Sequence, residues 1–255
     1  MEGDLGQVEM RTQAHLANCK GLIDLFLSGK DPHMTTASRI FGVPYDEAGL
    51  NKYRYPTKRA GFGIIYMIGP QGLSTQINEY IADLEMEGEP VDIEAWDETQ
   101  CQKFIDDYYL LYPEIRDYQQ EKLAEARRYG YVRDPISGRI RYIPEVSCPI
   151  RSIAEGGARM AANFPVTTSA QAIIKTAMGR LWQGLPRTEW SDAKCLLQIH
   201  DSLLFEMLDD EDYYKPFLRW VRDVMCSVIT LSVPIEVDFK IGKQWGSLGE
   251  VVLDD

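Results

Sequence analysis

The chain contains no CxxC pair, no closely spaced Cys/His set, no internal repeat and no low-complexity tract. No apolar run approaches the roughly 18 residues that would cross a bilayer, and no signal peptide is present, so no membrane association is expected. Its five cysteines, at positions 19, 101, 148, 195 and 226, are odd in number and far apart. That excludes a disulfide framework or a structural zinc site and points to a reduced, cytoplasmic protein. Positive charge is scarce as well. With 27 Lys and Arg against 39 Asp and Glu, the net charge of −12 argues against a uniformly basic nucleic-acid-binding surface.

The distribution of charge says more than its total. Between Glu79 and Asp107 there are eleven acids and one Lys, the pattern of a solvated acidic face. Between Lys122 and Arg159, eight basic residues stand against four acids, so local positive potential coexists with global acidity. A length of 255 residues suffices for one large domain or two small ones.

Residues 196–206 form an apolar run with His200-Asp201 in the middle. A carboxylate between Ile199 and Leu203 loses water and needs a cation or strong donors in compensation. Apolar flanks about such a pair read as a β-hairpin whose tip carries the charge. One acid cannot hold a catalytic metal alone, so a partner is required.

Periodicity and punctuation place a helix after Arg11 through about Ser28, another around 35–41, and a short one near Asp46. Pro56 and Thr57 open a helix to about Tyr66, and further helices fall at 71–87, 97–110 and 113–129. Residues 130–146 read as a hairpin or turn-rich segment. A long helix covers 151–183, broken or bent near Pro165. Strands at 194–200, 202–207 and 233–241 surround a helix at 210–230, making the fold class α+β: a small antiparallel sheet with a large helical insertion.

Arg54, Lys58, Phe62 and Tyr66 recur every four residues and share one broad helix face. Cations near a helix N-terminus attract phosphate and aromatic rings stack on a base, which suits a nucleoside triphosphate. An amphipathic helix packing Phe62, Ile65 and Tyr66 into a core, with its basic residues in solvent, explains the same spacing.

The segment Asp4-Leu5-Gly6-Gln7-Val8-Glu9-Met10-Arg11 resembles the first palm motif of the family A DNA polymerases, the bacterial DNA polymerase I family. Arg54-x3-Lys58-x3-Phe62-Gly63-x2-Tyr66 resembles that family's fingers-helix motif, and Gln198-Ile199-His200-Asp201 its third motif. Order and intervening lengths agree. Likeness continues in Asp31–Ala37, Phe41-Gly42-Val43-Pro44, Gly130-Tyr131-Val132, Gly138-Arg139-x-Arg141-Tyr142-x-Pro144, Arg159-x3-Asn163-x-Pro165 and Pro234–Asp238, across nearly the whole chain.

The resemblance implies an antiparallel palm sheet, residues 1–30 and 151–255, carrying a helical fingers insertion over 31–150. It implies a Mg²⁺-dependent DNA-directed DNA polymerase, a nucleotidyltransferase that adds deoxynucleotides to a primer 3′ end. Asp4 and Asp201 match the two metal-binding aspartates, which would hold two Mg²⁺ ions for phosphoryl transfer. Lys58 joins them as a catalytic residue. Arg54, Lys58 and His33 would contact the incoming triphosphate. Gln7 belongs to the same nucleotide site, Glu9 would block a ribose 2′-hydroxyl with Tyr66 beside it, and Phe62 matches the variant that prefers a 3′-hydroxyl sugar. His200 would lie near the primer terminus, and Arg159, Asn163 and Gln198 would touch template-primer in the minor groove.

There are departures. Gly6 stands for the usual Ser, Ser202 for the acid that commonly follows His-Asp, Thr167-Thr168 for Gln-Gly, and Met67 for the Gly after the fingers tyrosine. Only three residues precede Asp4, and so short a terminal strand is expected to fray unless another chain pairs with it. Thumb and exonuclease domains are absent from the reading. It expects a split or truncated enzyme, phage-like in style, located in the host cytoplasm if phage-encoded, whose upstream polypeptide supplies the thumb and first palm strands. Two rival readings stand beside it: a single-subunit RNA polymerase, which Glu9 opposes, and a catalytically incompetent fragment that binds template-primer or a replication partner.

Overall fold

The computed structural model describes residues 1–253, in which a first strand is followed by eight successive helices and the remaining strands come after residue 130. Strand β1 (Glu2–Leu5) leads into α1 (Val8–Leu16) and α2 (Lys20–Leu27). The single helix expected to Ser28 is therefore two, because Asn18 takes a left-handed φ of 48°, which Asn tolerates better than most residues. Helix α3 (Pro32–Phe41) starts before the expected Thr35: Asp31 accepts from the Met34 N–H and Pro32 fills the first helical position. After the single turn α4 (Tyr45–Ala48), α5 (Asn51–Ile65) begins ahead of Pro56, so the proline lies inside the helix instead of opening it. Its missing N–H removes only one bond, close to the helix start.

Helices α6 (Pro70–Glu87), α7 (Glu98–Leu111) and α8 (Pro113–Tyr129) lie where their punctuation places them, α7 behind a capping box of Asp97 and Gln100. Strands β2 (Tyr131–Arg133) and β3 (Ile140–Tyr142) form a hairpin, and α9 (Arg151–Gly184) runs unbroken through Pro165. Strands β4 (Lys194–Ile199) and β5 (Ser202–Glu206) precede α10 (Glu211–Ser227). Strand β6 (Val237–Ile241) starts later than the expected 233, and β7 (Gly249–Val251) was not anticipated. Among the described residues no helix is long and apolar enough to cross a membrane.

The chain divides into two compact units. The first comprises residues 1–12, 135–137 and Thr167 onward, and holds a five-stranded antiparallel sheet in the order β4-β5-β1-β6-β7. Strand β1 is its centre. It pairs with β5 (Gly3↔Leu203, Asp4↔Ser202) and with β6 (Gly3↔Phe239, Asp4↔Asp238), and it buries Leu5 completely. The expectation of fraying is overturned: two long-range partners satisfy the backbone of this short strand on both sides. Gly3 is needed there, since a Cβ would meet the Phe239 ring at 2.9 Å. Ile173 of α9 and Phe217, Leu218 and Val221 of α10 pack with Leu203 and Phe205 of β5 in one core.

The second unit comprises residues 13–134 and 138–166. Ile64, Leu73, Ile77, Tyr108, Tyr112 and Ile115 are buried in it. The Gln119 amide donates to the carbonyl of Ile64 at 2.8 Å, fastening the end of α5 to α8. A smaller core of Ala126, Val132, Ile143, Val146 and Ala161 supports the β2–β3 hairpin.

Candidate active site

Two acids 197 positions apart in sequence meet in the first unit. Antiparallel pairing of β4 and β5 (Ile199↔Ser202) leaves His200-Asp201 as a two-residue turn. His200 sits at a left-handed φ of 52°, and the Leu5 N–H donates to the Asp201 carbonyl at 3.1 Å. The Asp201 side chain is hydrogen-bonded to Asp4. Burial first, then the charges of Asp201, Asp238 and Glu2, push the Asp4 carboxyl up to about 6. The acids lie at a half-exposed rim, not deep in an apolar run as the pattern of 196–206 suggests, because β4 is an edge strand whose Leu196 and Leu197 are 49% and 47% exposed.

This arrangement concentrates negative charge, with Asp238 and Glu2 adding to the two aspartates, and so suits a hard divalent ion. Among the described residues no group of three or more His, Cys, Asp or Glu side chains converges as a complete cage. Mg²⁺ needs none: it binds through one or two carboxylates and takes its other ligands from water and phosphate oxygens. Asp4 and Asp201 offer that donor set.

The surrounding turns are held by Arg11 and Gln171, to which the sequence reading gave no role, and by Gln198, which it placed at template-primer. Arg11 is 5% exposed. It donates to the carbonyls of Gly6 at 2.7 Å and Pro234 at 2.6 Å, and it pairs with Glu236, fastening the β1–α1 turn to the segment before β6. Gln198 donates to the His200 carbonyl, as does Gln171 at 3.4 Å, so the Gln198 amide braces the hairpin turn here. Gln7 sits at φ 52° with its Oε1 buried and lacking a hydrogen-bond partner, and Glu9 lies half-buried in the first turn of α1.

In the second unit, α5 buries Thr57, Ala60, Ile64 and Ile65 on one side. Arg54, Lys58 and Phe62 lie on the more exposed side, and Tyr66, 40% exposed, caps the C-terminus. The two readings of this spacing are thereby separated: Ile65 is core, whereas Phe62 and Tyr66 are not fully buried. Arg54 pairs with Asp31 at 2.9 Å. Burial pushes the Asp31 carboxyl up, but the Met34 N–H, Arg54 and His33 outweigh it and hold the acid below its usual range.

His33, expected at the triphosphate, packs beside Phe62 at the start of α3. It is 2% exposed, with its ring 5.7 Å from that of Phe62 and Nε2 lacking a partner. Burial lowers its pKa to about 4, with Arg54 and Lys58 acting in the same sense, against Asp31. The imidazole is therefore neutral at pH 7.

Helix α5 ends in a Schellman motif: Ile68 N–H donates to the Gly63 carbonyl at 2.9 Å and Met67 N–H to Ile64 at 3.0 Å. Met67 occupies the left-handed position at φ 52°, where the resembled motif has Gly. Ile68 closes over Gly63 so tightly that a Cβ there would lie 2.6 Å from its side chain. Beside this turn, Phe62, Tyr66, Met67, Gln76 and Arg159 line an open cavity of about 440 Å³. The fold thus brings the exposed Arg159 of α9 to the aromatic end of α5, with the half-buried Asn163 one turn further along α9.

The sequence profile of DNA polymerase family A matches residues 1–247. The chain is 35% identical over 247 residues to the thermostable DNA polymerase I of Thermus aquaticus, covering 97% of this chain and 27% of that protein. It is 33% identical to DNA polymerase I of Mycobacterium leprae, covering 97% of this chain and 25% of that one. A solved structure of the POL domain of Pol1 from M. smegmatis, in complex with DNA primer-template and dNTP, superposes with a TM-score of 0.77 at 32% identity, covering 92% of this chain and 38% of that one. The chain spans about a quarter of the length of these curated relatives.

Proposed function

Because the chain belongs to DNA polymerase family A, we propose that it is the palm-and-fingers portion of a DNA-directed DNA polymerase that extends a primer 3′ end with deoxynucleotides. The observation that carries this reading is the hydrogen-bonded Asp4–Asp201 pair on the central strand and adjoining turn of the sheet. The first compact unit serves as palm and the second as fingers.

Asp4 and Asp201 are the residues that would hold the metal. Two Mg²⁺ ions, when bound, supply activation of the primer hydroxyl and neutralisation of charge on the leaving phosphates. Asp4 must be ionised to serve, and a nearby dication favours that form by reversing the local electrostatics. Arg54 and Lys58 attract the triphosphate, Lys58 being the more exposed of the two and Arg54 held in direction by Asp31. Phe62 and Tyr66 shape the cavity for the base and sugar, with His33 packed as a neutral ring beneath Phe62. Gln7 and Glu9 are assigned to contact the sugar of the incoming nucleotide. Arg159, Asn163, Gln198 and His200 contact template-primer. Substrates are template-primer DNA and dNTPs, and a further polypeptide segment supplies the thumb.

Primer extension tests the reading, with the purified chain alone and with the polypeptide carrying the remaining polymerase segments. Extension is expected in at least the second mixture, and Asp201→Ala should abolish it while leaving template-primer binding within about twofold. No extension in either mixture from the unaltered chain, with DNA still bound, would make it a binding fragment instead.

A further inference from the structure

The β2–β3 hairpin carries aromatic and basic groups that the polymerase reading leaves unused. Pairing sets Tyr131 directly opposite Tyr142, with ring centroids 5.8 Å apart, and Tyr129 lies 6.0 Å from Tyr131. The outer rings of this row are strongly exposed, Tyr142 at 73% and Tyr129 at 53%. A period of two along each strand puts Arg133 and Ile140 on the same face as Tyr131 and Tyr142. The opposite face is spoken for, since Val132 is fully buried and Arg141 lies over Phe164.

Charge reverses locally in the same place. From Arg127 to Tyr142 there are five arginines and one acid, in a chain whose net charge is −12. That acid, Asp134, is fully buried. Arg128 stands 5.1 Å from the centre of the Tyr129 ring, and with Arg127 and Leu123 it lines a depression of about 560 Å³ on α8. Rigidity comes from the small core under the hairpin and from Gly130, which takes a φ of 75° between α8 and β2 and lets the strand turn back at once.

Exposed rings bordered by arginines and mounted on a stiff hairpin are the components of a single-strand binding platform. Unpaired bases stack on such rings whatever their identity, while the cations follow the phosphates. A duplex hides its base faces and would meet only the arginines. We infer that the hairpin is a sequence-tolerant binding site for single-stranded nucleic acid, with Tyr129, Tyr131 and Tyr142 as the stacking row and Arg127, Arg128 and Arg133 as the phosphate track. It deepens the polymerase reading, on which it rests only for the identity of the strand: the unpaired template beyond the primer.

Fluorescence anisotropy with a short labelled oligothymidylate reads binding, and 2-aminopurine in the oligonucleotide reads stacking through its quenching. Loss of one stacking ring typically weakens single-strand binding by about fivefold or more. Tyr142→Ala should do so and abolish the quenching, and Tyr142→Phe should restore both. Arg128→Ala and Arg133→Ala should each lower the salt dependence of binding by about one phosphate contact without removing the quenching. Blunt duplex binding should not change in Tyr142→Ala. The inference is overturned if Tyr142→Ala and Tyr129→Ala together leave oligothymidylate affinity and quenching intact, or weaken duplex binding equally. Asp201→Ala separates the two readings: single-strand binding should survive it, and a chain that binds through the tyrosines yet never extends a primer refutes only the polymerase proposal.

Discussion

Burying His33 beside Phe62 costs the imidazole its charge, and the cost has a sign that can be measured. Burial depresses its pKa to about 4 from an ordinary 6.5, so the folded protein keeps the ring neutral where the unfolded chain takes up a proton. Its contribution to stability is complete above pH 6.5 and is lost as pH falls toward 4, by about 2–3 kcal/mol for a shift of this size. Urea midpoints measured between pH 7.5 and 4.5 should fall more steeply for the natural chain than for His33→Gln. Equal slopes would show that the ring is solvated. Met67 offers the opposite case. A side chain at φ 52° in the position that favours glycine is strained, so Met67→Gly should raise stability by about 1 kcal/mol, read as a higher urea midpoint at an unchanged m-value. A lower midpoint would mean that Met67 earns its place by packing.

Elements in this chain are positioned by a few long-range fasteners, and Arg11 is the clearest. Its guanidinium holds Gly6, Pro234 and Glu236 together, so the turn after the Asp4 strand cannot shift without breaking all three contacts. Arg11→Met keeps most of the volume but leaves two carbonyls without their donor; it should cost about 2–4 kcal/mol by thermal or urea unfolding. Primer extension should decline in the same variant at a temperature where it remains folded. Full activity at reduced stability would confine Arg11 to folding.

The same contrast between local and distant information explains what could be read in advance. Helices α6, α7 and α8 were legible because Pro70, Asp97, Pro113 and the glycines Gly88 and Gly130 mark their ends locally. Strand β1 was not, since four residues carry little pattern and its central place depends on partners near 203 and 239. Edge position misled at β4, where leucines that looked like core stand half-exposed. At the site, Asp4 and Asp201 were named through their motifs. The charge of Asp238 beside Asp4 follows from the β1–β6 register, which no spacing discloses. The burial of His33 likewise depends on a ring brought from another helix.

At the scale of the whole molecule, a net charge of −12 coexists with two local needs for cations of different kinds. In the proposed function the acids of the first unit call for a dication, and the second unit meets polyanions with its own arginines and lysines. An ion that binds only the folded first unit stabilises it by linkage, by about 2.7 kcal/mol at a concentration a hundredfold above its dissociation constant. Magnesium should therefore raise the melting temperature of the natural chain at neutral pH, whereas Asp201→Asn should show only the small shift produced by ionic strength. Hydrogen exchange locates the effect, because protection is set region by region. Added magnesium should slow exchange in β1, β5 and β6, which surround the Asp4–Asp201 pair, and leave α6 and α7 unchanged. Those helices carry most of the acid-rich run from Glu79 to Asp107, so they are the natural target of loosely held ions. Protection that rose there first, or rose equally in Asp201→Asn, would assign the stabilisation to screening of the acidic surface and remove the aspartate pair as the metal's seat.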